Sequence, residues 1–157
     1  MSTGLASILL IILALLLAVA CWSDLRTRTI SNGLNIAVAL LAIPFWWASG
    51  LAFLPDVALQ IALAFLIFIV FAGAFAIGAM GGGDVKLIGA LALWLPWPAL
   101  LLLLMIMSLA GGALTIAMLV RKRLTRSEKA VEVPYGLAIA FGGLWVISER
   151  FLYQFGG

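Results

Sequence analysis

The chain has 157 residues, 66% of them apolar and 10% charged, with a mean hydropathy of +1.29, far from the roughly 45–50% apolar and 25% charged residues of soluble domains. That balance points to an integral membrane protein. Nine Lys and Arg against six Asp and Glu, with no aromatic-interleaved basic patch, read as membrane orientation and not as nucleic-acid binding. A single cysteine, Cys21, excludes an intrachain disulfide and a cysteine-based zinc cluster, and the absence of histidine removes the commonest metal ligand and general base.

The first uncharged run, Met1–Ser23, is long enough to span a bilayer as a helix. It ends in Ala18-Val19-Ala20 before Cys21, which resembles a signal cleavage site, but it lacks the basic n-region of a secretory leader. Cys21 then reads as a small buried apolar residue. Gly33–Pro55 and Val57–Gly83 are predicted as the second and third spans. Leu87–Val120 is too long for one ordinary span, and Pro96-Trp97-Pro98 interrupts it with turn chemistry and an interfacial aromatic. Dividing the run there leaves a short fourth helix, which needs to extend from near Gly81 to Pro98 to approach a hydrocarbon core of about 30 Å. The fifth helix follows Pro98, and Val133–Ser148 supplies the sixth.

The charges support six. Arg26 and Arg28, Lys86, and the cluster Arg121, Lys122, Arg123, Arg126 and Lys129 then fall on one side, and Arg150 alone falls on the other. By the positive-inside rule the crowded side is the cytoplasm, so both termini face outward. The expected fold is an all-α integral membrane protein of six transmembrane helices, one membrane-embedded domain over residues 1–157. The longest polar stretch is the linker Arg121–Glu132.

Of the six acidic residues, Asp56 falls in an outer loop, Glu128 and Glu132 in the basic linker, and Glu149 beside Arg150, where solvation or ion pairing accounts for them. Asp24 and Asp84 differ. Each stands where an apolar helix meets the cytoplasmic side, and ionisable groups at such depth are functional candidates. Two carboxylates at one level, brought close, share a proton, so that one activates water as a base while the other acts as an acid. The plainer reading pairs Asp24 with Arg26 or Arg28, and Asp84 with Lys86, as interfacial anchors; spacing alone leaves the two readings level. A cation site is a third, although hard ions such as Ca²⁺ usually take about 6–8 oxygens.

Gly81, Gly82 and Gly83 precede Asp84 and would let another chain lie beside it, or would let helices pack closely. Lys86 would bias the protonation of Asp84 or snorkel to the headgroups.

The sequence Gly81-Gly82-Gly83-Asp84, continuing Val85-Lys86-Leu87, resembles the Gly-x-Gly-Asp signature of the type IV prepilin peptidases. "DLRTRTISN", from Asp24 to Asn32, resembles that family's first aspartate motif, and "VPYGLAIAFGG", from Val133 to Gly143, the opening of its last helix. Order, spacing and six-helix layout agree over essentially the whole chain. The resemblance implies a membrane aspartic endopeptidase of the bacterial plasma membrane, with Asp24 and Asp84 as the catalytic pair and no cofactor or metal. Its partners would be the bilayer and a prepilin with a hydrophobic N-terminal helix, cleaved after a glycine. Ser31 stands where many relatives carry proline. The paired Cys-x-x-Cys insertion of bifunctional members is absent, so the chain is similar to the short forms of Flp-type, tight-adherence pilus systems, and cleavage without methylation of the new N-terminus is expected. The competing class is a non-enzymatic membrane subunit or a small proton-coupled carrier using Asp24 and Asp84; transport would favour polar groups near the bilayer midplane, whereas the charges gather at one face.

Overall fold

A computed structural model describes residues 3–125 and 134–155 of the chain. Six α-helices run through them: α1 (Thr3–Thr27), α2 (Asn32–Ala48), α3 (Ala58–Ala76), α4 (Gly82–Ala92), α5 (Trp97–Thr125) and α6 (Tyr135–Phe155), with one wide helical turn over Phe53–Val57 ahead of α3. Three stretches are long and apolar enough to cross a membrane, Gly4–Thr27, Phe53–Ala76 and Trp97–Leu124, while α2 and α6 contribute shorter apolar segments. Large apolar side chains stand exposed on their outer faces, among them Leu15, Val19, Phe65 and Ile69. In hydrocarbon such side chains need no cover, because lipid tails are as apolar as they are.

Helix α4 lies at the centre, packed against α2, α3 and α6, and its residues from Leu87 to Ala92 are buried. The division of the long run at Pro96-Trp97-Pro98 is reproduced, but extension of the fourth helix to Pro98 is not. Helix α4 stops at Ala92, where the amides of Leu93 and Trp94 tighten onto the carbonyls of Ala90 and Leu91. At 1.5 Å per residue it is about 16 Å long. A helix covered by other helices has no reason to match the hydrocarbon thickness, and Trp94 and Leu95 bury themselves in the turn that follows. Helix α6 runs beyond the expected Ser148 to Phe155; there Glu149 accepts a bond from Trp145 Nε1 at 3.3 Å. Asp56 accepts from the Ala52 amide within the wide turn. The expected linker is described only as far as Thr125, at the end of α5.

Close approach between helices follows a seven-residue glycine spacing. A Cβ on Gly82 would meet Phe75 at 3.3 Å, and one on Gly89 would meet Phe68 at 3.2 Å, so α3 and α4 pack antiparallel with two phenyl rings over two bare backbones. Gly136 and Gly143 repeat the device on α6, facing Asp24 and Leu17 of α1. Helices α2 and α4 instead run parallel and are joined by tryptophan hydrogen bonds: Trp46 Nε1 donates to the Leu93 carbonyl at 2.7 Å and Trp94 Nε1 to the Val38 carbonyl at 2.9 Å. The Phe45 and Trp94 rings pack at 4.8 Å between centroids. These contacts place the C-terminal ends of α1, α3 and α5 and the N-terminal ends of α2, α4 and α6 at one end of the bundle.

The Trp94 bond joins a fully buried donor to a carbonyl in the α2 backbone, where no water can replace it. Trp94→Phe removes this second donor to the Val38 carbonyl, which keeps its place in the α2 ladder, and is expected to cost about 0.5–1.5 kcal/mol, read as a lowered midpoint of thermal unfolding in detergent. An unchanged midpoint would show that the bond contributes nothing to the α2–α4 contact.

Candidate functional site

Asp24 opens the last turn of α1, and the chain leaves the helix through Arg28, whose φ of 55° is left-handed. The bend is held by its own hydroxyls. Ser23 Oγ donates to the Thr29 carbonyl at 2.7 Å, and Thr27 Oγ1 to the Ser23 carbonyl at 2.9 Å. Ser31 then caps α2, accepting from the Leu34 amide at 3.3 Å. Ser31 therefore opens the helix by a side-chain bond.

Both candidate carboxylates are buried, Asp24 at 4% and Asp84 at 8% exposure. Asp24 Oδ2 accepts from the Leu137 amide at 3.0 Å, so a carboxylate on α1 satisfies a first-turn donor of α6. Asp84 sits in the first turn of α4 and turns back towards the helix start; a Cβ on Gly81 would lie 3.0 Å from its Oδ2. Each acid thus occupies a helix N-terminus, where the exposed N–H groups favour negative charge. The two are near enough that the charge of Asp24 acts on Asp84.

Between the two helix ends lies Ile30. Its backbone and Cβ fill the space beside Gly83, within 3.1–3.3 Å of where a Cβ would stand, and its Cδ1 lies 2.8 Å from the corresponding point on Gly136. Phe75 fills the space beside Gly82. At Gly82 and Gly83 the missing side chains therefore serve packing within the protein, and of the three only Gly81 is exposed. Lys86 does not reach for Asp84; its Nζ donates to Asn32 Oδ1 at 2.8 Å, tying α4 to the start of α2. Arg26 lies over the Trp22 ring at 5.4 Å, while the charge of Arg28 acts on Asp24. Cys21 is a free, half-buried thiol.

Three neighbours escaped the sequence reading. Gly136 leaves room for the Asp24 carboxylate, Ile30 wedges the acids' helices, and Asn35 donates through Nδ2 to the Gly83 carbonyl at 3.1 Å. A lone amide near the start of the apolar run Gly33–Pro55 was the available signal for Asn35. Gly136 showed only in its seven-residue spacing from Gly143. Among the described residues no group of three or more His, Cys, Asp or Glu side chains gathers as a metal site would require.

The model of the type IV leader peptidase family matches residues 11–116, which include both acids and the three glycines, and the chain belongs to that family. No curated protein and no solved structure gives a significant match.

A methyl group on Gly136 would stand 2.8 Å from Asp24 Oδ2, so Gly136→Ala must move the carboxylate or the helix that it caps. The expected result is a drop of about tenfold or more in leader cleavage, equivalent to about 1.4 kcal/mol. Gly73→Ala, which meets nothing within 4 Å, is the control and should cleave normally. Equal rates in both variants would separate the Asp24–Leu137 contact from activity.

Proposed function

From that membership and the paired buried carboxylates we propose that the chain is a membrane aspartic endopeptidase that removes the leader of type IV prepilins at the cytoplasmic face. The observation that carries this reading is the burial of Asp24 and Asp84, from helices far apart in sequence, at one end of the bundle, with Ile30 packed between their helix ends. Water between them attacks the carbonyl carbon of the scissile bond. The ionised carboxylate takes the water proton, and the protonated partner donates to the carbonyl oxygen. Collapse of the tetrahedral intermediate breaks the C–N bond, and the leaving amine takes up the proton abstracted from water. The Leu137 amide holds Asp24 by one oxygen throughout, so its other oxygen stays oriented.

The cytoplasmic assignment rests on charge. Arg26, Arg28, Lys86 and Arg121 to Arg123 belong to the end of the bundle that carries both acids, which suits the positive-inside rule. The basic stretch Arg121 to Lys129 would repel a basic leader, so its role is orientation and contact with anionic lipid. The lack of a paired-cysteine insertion favours the short, Flp-type form and cleavage without methyl transfer.

Asp24→Asn and Asp84→Asn should each slow processing of a purified prepilin by about 10²–10⁴-fold, with abundance and thermal midpoint near those of the parent, and EDTA should leave the rate alone. A variant that cleaves at an appreciable fraction of the parent rate would remove that acid from the mechanism, and EDTA inhibition reversed by a divalent ion would replace the dyad with a metal site.

Sidedness is open to a separate measurement. With Cys21 replaced, Ser31→Cys should react with an impermeant thiol reagent only from the cytoplasmic side and Ser49→Cys only from outside. Labelling of the Ser31 position in intact cells would reverse the orientation and take both acids to the wrong face.

A further inference from the structure

Asn35, in the first turn of α2, is 5% exposed. Its Nδ2 holds the Gly83 carbonyl, but its Oδ1 is buried and has no partner among the described residues. A desolvated acceptor left unpaired destabilises the fold, a cost removed when a ligand brings a donor. Asn35 also lines a groove of about 580 Å³ between α2 and α3, floored by α4. Ile36, Ala39, Ile61, Phe65 and Leu93 make its walls apolar, and Asn32, Asn35 and Lys86 form its polar end. From Lys86 to Leu93 the floor runs about 10 Å, or two helical turns.

We propose that this groove seats the first two turns of the substrate's apolar helix, with Asn35 Oδ1 accepting a backbone N–H from its opening turn. The assignment deepens the peptidase reading and rests on it. A lipid acyl chain would fill the apolar walls but has no donor for Asn35. The start of a helix has up to four unpaired N–H groups followed by apolar side chains, which is the combination that the groove requires. Position agrees as well: Asn35 is bonded to the carbonyl of Gly83, the residue immediately before Asp84. A second opening of about 520 Å³ lies between α3 and α5, near Met80 and Tyr135. The Thr115 hydroxyl on its wall already donates to the Gly111 carbonyl at 2.7 Å.

The test uses the full chain in phospholipid nanodiscs and a synthetic peptide, a basic leader joined to an apolar helix, whose scissile amide is reduced to a methyleneamine to prevent turnover. A photoreactive benzoylphenylalanine replaces either Ile36, exposed on the rim of the α2–α3 groove, or Ile116, exposed on that of the α3–α5 opening. Crosslinking of the peptide from position 36 is expected. In binding titrations, an ester in place of one of the first four amides of the apolar segment should weaken affinity about tenfold in the parent protein. Asn35→Leu should abolish that sensitivity, and Asn35→Asp, which keeps an acceptor, should retain it.

Peptide crosslinking from position 116 alone, crosslinking from position 36 to phospholipid alone, no binding, or ester effects unchanged in Asn35→Leu would each overturn the proposal. Should Asn35→Leu fail to fold, the crosslinks and the ester series on the parent decide the matter. Cleavage of the unmodified peptide is scored separately. Groove binding without cleavage would refute hydrolysis and keep the seat, whereas cleavage with crosslinking only from position 116 would keep hydrolysis and refute the seat.

Discussion

The bond from the Leu137 amide to Asp24 Oδ2 joins the first of the helices to the last, across 113 residues of sequence. The first turn of any helix has N–H groups without partners inside the helix, and in a membrane protein few waters are available to take them. Here a carboxylate from α1 takes one. The carboxylate gains a donor and the α6 terminus gains an acceptor, so each fixes the other's position. The arrangement demands close contact between the two helices, and Gly136 and Gly143 permit it by having no Cβ atoms to place against Asp24 and Leu17.

The other acid is held from the opposite direction. Helix α4 is enclosed by α2, α3 and α6, and Asp84 lies in its first turn. Tryptophan bonds to Leu93 and Val38 carbonyls lock its far end to α2, while Asn35 and Asn32 lock its near end through Gly83 and Lys86. A carboxylate on a helix restrained at both ends has little freedom to drift, and such restraint by a supporting layer is what a catalytic constellation needs. The site is thus assembled from rigid helix termini, with Ile30 as the wedge that sets their separation.

Packing takes the place that the hydrophobic effect holds in water-soluble cores. Between helices in lipid the gain comes from van der Waals contact and interhelical hydrogen bonds, so small residues that admit close approach have unusual value. Phe75 over Gly82 and Phe68 over Gly89 illustrate the point on the α3–α4 contact. Gly82 therefore belongs to two structures at once: the motif that precedes Asp84 and the seam that positions α4. Ser31 shows a similar economy, since its hydroxyl alone satisfies an amide of the opening turn of α2.

Much of the architecture was legible in the residues. Hydropathy and length located the helices, since each uncharged run must satisfy its backbone internally. The Pro96-Trp97-Pro98 break separated α4 from α5 because proline cannot continue a helix by donating to it. Asp24 and Asp84 stood out as carboxylates at the ends of apolar runs, a placement whose cost is independent of the fold. What only the tertiary structure decided are relations between distant segments. That Asp24 caps α6, that Ile30 fills the space beside Gly83, and that Lys86 turns to Asn32 and away from Asp84 all depend on which helix faces which. The length of α4 belongs to the same class: a lipid-facing helix must match the bilayer, whereas a buried one matches its neighbours, and burial is a property of the packed bundle. Asn35 is the sharpest case, because an amide in an apolar run is visible in the sequence, while its paired donor and unpaired acceptor exist only once α2 lies against α4.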